Sequence, residues 1–160
     1  MARNVFFSFH YQQDIMRVNV VRKSQEFARA YNTQEFYDRS IWEKTKLQGD
    51  AAIKKLIDDG LKGCSVTVVL VGAETAGRKW INYEITESRK QGMGLLAVRI
   101  HGIQCLNQGV CFAGRNPFDV KQNNGTVCFS QIYPIYDWVK GYGFTNLPKW
   151  IEQAARKAGR

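Results

Sequence analysis

A run of apolar, mostly β-branched residues at 65–71, Ser-Val-Thr-Val-Val-Leu-Val, constrains the fold of this chain more than any other segment. Because the run does not alternate with polar residues, it predicts a strand buried on both faces, as in the middle of a parallel sheet. Parallel neighbours need crossover connections, which are usually helices. Residues 50–61 and 80–90 flank the run and have helical patterns. The chain therefore has the signature of an α/β fold with this strand at its centre.

The segments on either side continue the alternation. Residues 5–9, Val-Phe-Phe-Ser-Phe, predict a first strand, and residues 14–31 predict the helix that follows it. Residues 95–100 predict a strand after the 80–90 helix. Residues 33–46 mix aromatic and charged side chains, and we interpret them as a short irregular or edge strand inside a long loop.

The last third of the chain is more loop-like. Short strands are expected at 127–129 and 132–136, the second at a sheet edge because Pro134 cannot donate a ladder hydrogen bond. A final helix is expected from about Pro148. The whole pattern predicts an α/β, flavodoxin-like, doubly wound and mostly parallel sheet with helices on both faces.

Composition limits the class of protein. A chain of 160 residues with 44% hydrophobic content fits one domain with a single core. No stretch approaches the roughly 18 uninterrupted apolar residues of a membrane span, and the N-terminus leads into a strand-like run rather than a signal peptide. We therefore expect a cytoplasmic protein without a membrane partner.

The net charge of +9 favours anionic partners. The basic residues are scattered, however, and no nucleic-acid-binding motif is present, so nucleic acid is not the expected partner. The sequence also lacks a G-x-x-x-x-G-K-[ST] loop, a G-x-G-x-x-G turn after the first strand and a G-x-S-x-G elbow. These absences argue against P-loop enzymes, ordinary dinucleotide folds and serine hydrolases.

Residues 78–84, Arg-Lys-Trp-Ile-Asn-Tyr-Glu, place a carboxylate beside an aromatic ring just past the central strand. Trp80 and Glu84 are four residues apart and so share one face of a helix. Ligands of α/β sheets bind at this edge, where a carboxylate can offset a developing positive charge and an indole can form a stacking wall. From these residues alone, two structural interpretations remain as alternatives. Glu84 can be an acid that the helix dipole favours, and Trp80 can be an anchor of the core.

Four segments resemble, in order, motifs of TIR-like domains, specifically the TIR-like proteins of bacterial Thoeris anti-phage systems. Residues 5–11 resemble the first strand and its exit, and residues 37–43, Tyr-Asp-Arg-Ser-Ile-Trp-Glu, resemble an F-D-x-S-x-W-E segment. Residues 80–84 match a W-x-x-x-E helix start, and residues 116–119, Asn-Pro-Phe-Asp, match a later turn. The resemblance implies a single TIR-like domain over 1–160, with a core at about 3–120 and a family-variable part at 121–160.

The resemblance implies an enzyme that takes NAD as its substrate, with no bound cofactor and no metal. It would cleave the bond between nicotinamide and ribose and convert the product into a cyclic or modified ADP-ribose signalling molecule. By position, Glu84 corresponds to the catalytic glutamate of the family. The substrate-binding residues implied are Phe9, His10, Tyr11, Asp38, Ser40, Trp42, Trp80 and Tyr83.

The implied partners are an effector protein reached through the messenger, a phage-derived activator and further copies of the chain, through self-association. The alternative is a non-catalytic TIR-like scaffold that binds a nucleotide or another TIR domain. The two hypotheses differ at Glu84, because NAD cleavage needs a carboxylate there and a scaffold does not.

The four cysteines contain no C-x-x-C pair and are too few for a disulfide framework, so reduced thiols are expected. His101, Cys105, Cys111 and Cys128 are chemically suitable zinc ligands, but their spacing is unlike that of zinc knuckles.

We therefore predict that the purified protein carries less than about one zinc per ten chains, because irregularly spaced ligands do not preform a tetrahedral site. Elemental analysis of protein purified without chelator measures this ratio. Stoichiometric zinc would contradict the prediction.

Overall fold

The computed structural model describes residues 3–33, 39–106, 109–119 and 128–160. Five strands form one sheet, and they are β1 Arg3–Ser8, β2 Tyr31–Thr33, β3 Val66–Val71, β4 Gly94–Arg99 and β5 Ile135–Asp137. Every pairing is parallel, and the order across the sheet is β2-β1-β3-β4-β5. The predicted parallel α/β sheet is confirmed, with β3 in the middle as expected.

Helices cover both faces of the sheet. They are α1 Tyr11–Arg22, α2 Gln25–Ala30, α3 Arg39–Leu47, α4 Asp50–Leu61, α5 Lys79–Lys90 and α6 Gly143–Lys157. On one face, α1, α2 and α6 pack against β1, β3 and β4. On the other face, α4 packs against Phe6 of β1, and α5 packs against Val69 and Val71 of β3. All six residues of β3 are buried, because both faces of this strand carry helices. None of the helices within the described ranges is long and apolar enough to cross a membrane.

The single helix predicted over 14–31 is wrong in detail. The structure has two helices there, α1 and α2, and Tyr31 already belongs to β2. The break lies at Ser24, whose backbone is extended and whose Oγ donates to the carbonyl of Val21 at 2.7 Å. A serine hydroxyl that bonds the preceding turn competes with helix continuation, which explains the interruption.

The interpretation of residues 33–46 as an irregular or edge strand is also wrong for its second half. Residues 39–47 form α3, which packs against α4, and the edge strand β2 ends at Thr33. Residues 34–38 lie outside the described residues. The α3 segment contains no glycine or proline, and Lys44 and Lys46 lie in its last turn, where the helix dipole favours a cation.

Two predictions near the C-terminus need correction. Residues 129–131 form a 3-10 turn rather than a strand, and residue 127 lies outside the described residues. Helix α6 begins at Gly143 and contains Pro148 instead of starting there. The first turn forms ahead of the proline because the N–H groups of Thr145 and Asn146 both bond the carbonyl of Tyr142. The strand predicted at 132–136 is observed as β5, which begins only after Pro134, and its predicted edge position is confirmed.

Gly94 allows α6 to lie directly on β4. A Cβ atom at this position would lie 2.7 Å from the carbonyl carbon and oxygen of Ala154, which is closer than such atoms can approach. The backbone of α6 therefore sets the side-chain size that the first residue of β4 can have.

We expect Gly94→Ala to lower the free energy of unfolding by about 1–3 kcal/mol, because the new methyl group forces α6 away from β4. Urea denaturation measures the change. Gly102→Ala is the matched control, since its Cβ would meet only the exposed side chain of Val139, at 3.2 Å from Cγ2 and 3.5 Å from Cβ. Equal stability of the two variants would contradict the packing constraint.

Candidate functional site

A cavity of about 280 Å³ opens beside the end of β1, between the start of α1 and the start of α5. This is the carboxyl edge of the parallel sheet, where α/β proteins bind ligands. Its walls contain aromatic and apolar side chains, polar groups and cations, and the residues are Phe9, His10, Tyr11, Gln12, Lys46, Arg78, Lys79, Trp80, Ile81 and Glu84. The predicted pair Trp80 and Glu84 thus lines one cavity, as their shared helical face suggests.

Glu84 is the most unusual group in this cavity, because it is an acid that is only 8% exposed. Its carboxylate accepts a hydrogen bond from the Oγ of Ser8, the last residue of β1, whose side chain is itself fully buried. Burial raises the pKa of Glu84 to about 8, although the Ser8 hydrogen bond acts in the opposite direction. The cavity therefore contains a carboxyl group that titrates close to neutral pH, as catalytic acids and bases do.

His10 lines the same cavity as Glu84. Its pKa is lowered by burial and, to a smaller extent, by the positive charge of Arg78. Its Nδ1 atom is buried and has no hydrogen-bond partner among the described residues. A neutral imidazole with one unsatisfied nitrogen is a group that a bound ligand can satisfy.

A buried polar cluster fixes the loop that carries α5. Thr75 accepts the Gly72 N–H at 2.8 Å and donates to the Asp14 carboxylate at 3.4 Å. Asp14 belongs to α1, and burial raises its pKa to about 6, against the opposing effect of Arg17. A Cβ at Gly72 would lie 2.3 Å from the Asp14 carboxylate, so only glycine fits this contact. Helix α1 thereby holds the start of α5, and with it Glu84, against the end of the sheet.

Three cations stand at the mouth of the cavity, and they are Lys46, Arg78 and Lys79. Two of them contact acids at the surface, since Arg78 pairs with Glu74 at 3.6 Å and Lys79 pairs with Asp50. Lys79 also lies over the Trp80 ring at 4.9 Å. The positive charge of Arg78 reaches into the cavity, because it lowers the pKa of His10, as Lys46 does to a smaller extent, although Glu74 acts in the opposite direction. The mouth is therefore suited to the anionic part of a ligand.

The structure brings together five of the residues predicted for the site, which are Phe9, His10, Tyr11, Trp80 and Glu84. The rings of Phe9 and Tyr11 stack with centroids 5.9 Å apart. Tyr83 is elsewhere: it does not line the cavity, its ring packs edge-on against Trp80, and its hydroxyl donates to Asp58 at 2.9 Å. The predicted contact of Tyr83 with substrate therefore has no support in its position.

The other predicted residues belong to the segment around α3. Asp38 lies outside the described residues, and Ser40 and Trp42 lie on α3, where the backbone is described but their side chains are not. Lys46 of the same helix lines the cavity, so α3 adjoins the site. The roles of Asp38, Ser40 and Trp42 stay predictions.

Sequence reasoning did not single out Ser8, Gln12 or the cations at the mouth as site residues. A signal for Ser8 was present, because a polar residue within the otherwise apolar run 5–9 must find a buried partner. The cations gave no such signal, since scattered lysines and arginines usually lie on a solvated surface.

For the zinc alternative, the residues that the structure describes contain no group of three or more potential metal ligands.

Two comparisons with known proteins bear on this site. Residues 6–104 match the family model described as Thoeris protein ThsB, TIR-like domain. The chain is also 37% identical over 153 residues to a protein of Bacillus cereus (strain MSX-D12) named "Putative cyclic ADP-D-ribose synthase ThsB1". That match covers 95% of this chain and 76% of the relative. The family match includes Ser8, His10, Trp80 and Glu84.

The pKa of Glu84 predicts how stability depends on pH. Because the folded chain holds this proton up to about pH 8 and the unfolded chain releases it near pH 4.5, the free energy of unfolding falls as pH rises between these values. We expect Glu84→Gln to remove this dependence. Its melting temperature should exceed that of the wild type by roughly 2–8 °C at pH 8 and match it at pH 5.

Differential scanning calorimetry at both pH values measures the effect. Glu87→Gln is the matched control, because Glu87 lies one turn further along α5 and pairs with Lys90 at the surface. A Glu84→Gln variant that is no more stable than wild type at pH 8 would show that burial of the ionised carboxylate costs little.

Proposed function

Since this chain belongs to the family of TIR-like domains of the Thoeris protein ThsB, we propose that it is an NAD-processing enzyme of anti-phage defence. It cleaves the bond between nicotinamide and ribose and makes a cyclic or modified ADP-ribose messenger. The relative's name supports this reaction class, because it describes a cyclic ADP-D-ribose synthase. The TIR family inferred from the sequence motifs is confirmed by the family match.

The observation that carries the proposal is Glu84 buried at the wall of the ligand cavity, bonded to Ser8. Departure of nicotinamide leaves an oxocarbenium-like ribose, and a carboxylate in a water-poor site stabilises that charge far more than one in water. A non-catalytic scaffold has no need for a buried acid at this position. Its burial costs folding stability and is explained by a chemical role.

The bond changes balance without a metal or a redox partner. The glycosidic C–N bond breaks, and its electron pair leaves with the nicotinamide nitrogen, so the positively charged ring departs neutral. The positive charge moves to the ribose carbon, opposite the Glu84 carboxylate. A nucleophile of the ADP-ribose itself then bonds that carbon and releases a proton, which gives a cyclic product. Attack by water in its place gives ADP-ribose.

The rest of the cavity fits the other parts of NAD. Arg78, Lys79 and Lys46 at the mouth suit the pyrophosphate, because arginine and lysine donate charge-assisted hydrogen bonds to phosphate oxygens. Trp80 offers a ring surface for stacking beside Glu84. The Nδ1 atom of His10, which has no hydrogen-bond partner among the described residues, would bond a polar group of the substrate. Contacts of this kind contribute to the rate of the reaction because they hold the ribose carbon near the carboxylate.

The raised pKa of Glu84 is consistent with a cationic substrate. In the free protein at pH 7 the carboxyl group is mostly protonated, because burial raises its pKa to about 8. The nicotinamide ring of NAD carries a positive charge, which favours the ionised carboxylate when the two lie together. Binding of NAD and release of the Glu84 proton are therefore linked. The effector, the phage-derived activator and self-association stay predictions.

We expect purified protein incubated with NAD to release nicotinamide and a product with the mass of a cyclised ADP-ribose, detected by mass spectrometry. Glu84→Gln should lower the rate of nicotinamide release at least about a hundredfold, because the amide cannot offset the ribosyl charge. The assay is run with and without extract from phage-infected cells, so that a requirement for an activator is not mistaken for inactivity.

Glu87→Gln is again the control, and it should retain activity within about twofold of wild type, as expected for a surface acid away from the cavity. The rate at low NAD concentration should rise with pH towards about 8, where free Glu84 ionises. A folded Glu84→Gln variant with full activity would overturn the catalytic assignment, whereas ADP-ribose as the sole product would overturn only the cyclisation.

A further inference from the structure

A second and larger cavity, of about 590 Å³, lies at the opposite end of the sheet, where β4 begins. Its walls come from the end of α5, the turn at 91–93, residues 130–136 and the last turns of α6. This is the amino end of a parallel strand, away from the carboxyl edge that holds Glu84. The volume lies within the range of roughly 300–1,000 Å³ typical of small-molecule sites.

The cavity is positively charged. Arg89 and Lys157 line it, and none of the described residues that line it carries a carboxylate. The Arg89 guanidinium lies over the Phe129 ring at 4.8 Å, and the Lys157 ammonium donates to the carbonyl of Ile132 at 2.6 Å. These contacts hold both cations in place. An ammonium has three donors and a guanidinium has five, so each retains donors for an anion.

Two tyrosine rings that line the same cavity are fixed from behind. Tyr136 stacks on Trp150 with centroids 4.2 Å apart and ring planes 3° from parallel. Tyr133 packs against Phe118 at 5.4 Å and against Phe129 at 6.0 Å. Both tyrosines remain partly exposed. Rings that are already ordered can stack on a flat ligand without a further entropy cost.

We propose that this cavity binds a small ligand of the nucleotide class, with Arg89 and Lys157 holding its phosphate and Tyr133 or Tyr136 packing against its aromatic ring. The absence of carboxylates among the lining residues that the structure describes favours an anion over a cation or a neutral ligand. The site is separate from the Glu84 cavity in position and composition. It requires no turnover of NAD, so it is independent of the proposed function.

Photocrosslinking with 8-azido-ADP tests the position of binding. The probe contains phosphate and adenine but no nicotinamide, so failure of NAD cleavage does not affect the result. We expect label in the tryptic peptide 122–140, which contains both tyrosines, and competition by unlabelled ADP. Label confined to peptide 4–17, which contributes residues only to the Glu84 cavity, would overturn the proposal, as would the absence of any label.

Matched charge variants test the composition of the site. Arg89→Gln with Lys157→Gln should weaken competition by ADP for label in 122–140 at least about tenfold, since both phosphate contacts are lost. The double variant Lys90→Gln/Arg156→Gln removes the same charge from neighbouring positions that do not line the cavity. It should change the competition by ADP less than about twofold. Equal effects of the two pairs would overturn the proposal. If the first pair fails to fold, the labelling of wild type decides.

Discussion

The burial of β3 on both faces is the constraint on which the rest of the structure depends. A strand with helices above and below needs parallel neighbours joined by crossovers, and the order β2-β1-β3-β4-β5 is one solution. Parallel strands all end at the same edge, so the exits of β1 and β3 necessarily lie side by side. That adjacency brings Ser8 at the end of β1 against Glu84 on α5, although 76 residues separate them.

Burial of Glu84 has a cost in folding stability. Glu84 is almost fully buried, and burial raises its pKa to about 8. Ionising the carboxyl group in this buried position lowers the free energy of unfolding. Ser8 offsets part of the cost by donating to the carboxylate. The cluster of Asp14, Thr75 and Gly72 holds the loop that precedes α5. Rigid support of this kind is what electrostatic stabilisation of a transition state requires.

The sequence predicted the parts of the fold that local patterns determine. The β3 run, the α4 repeat and the start of α5 were identified because apolar spacing decides them. The break at Ser24 and the early start of α6 depend on individual hydrogen bonds, which no periodicity records. In the candidate site, spacing and motif singled out Glu84, Trp80 and His10, which line one cavity, and their roles stay predictions. Ser8 and the cations at the mouth required the three-dimensional contacts. Tyr83 does not line the cavity and its hydroxyl bonds Asp58 of α4, so its contact with substrate also stays a prediction.

Helix α5 links the two ends of the sheet. Glu84 near its start lines the cavity at the carboxyl edge, and Arg89 near its end lines the cavity at the amino edge. Between them, Ser88 donates to the carbonyl of Glu84 at 2.7 Å and shares a 2.7 Å hydrogen bond with Thr67 of β3. These buried contacts fix the helix to the central strand, so a shift of one end along its axis breaks hydrogen bonds that no water can replace. The helix is therefore a rigid element, and Arg89 and Glu84 both belong to a part of the molecule whose position β3 determines.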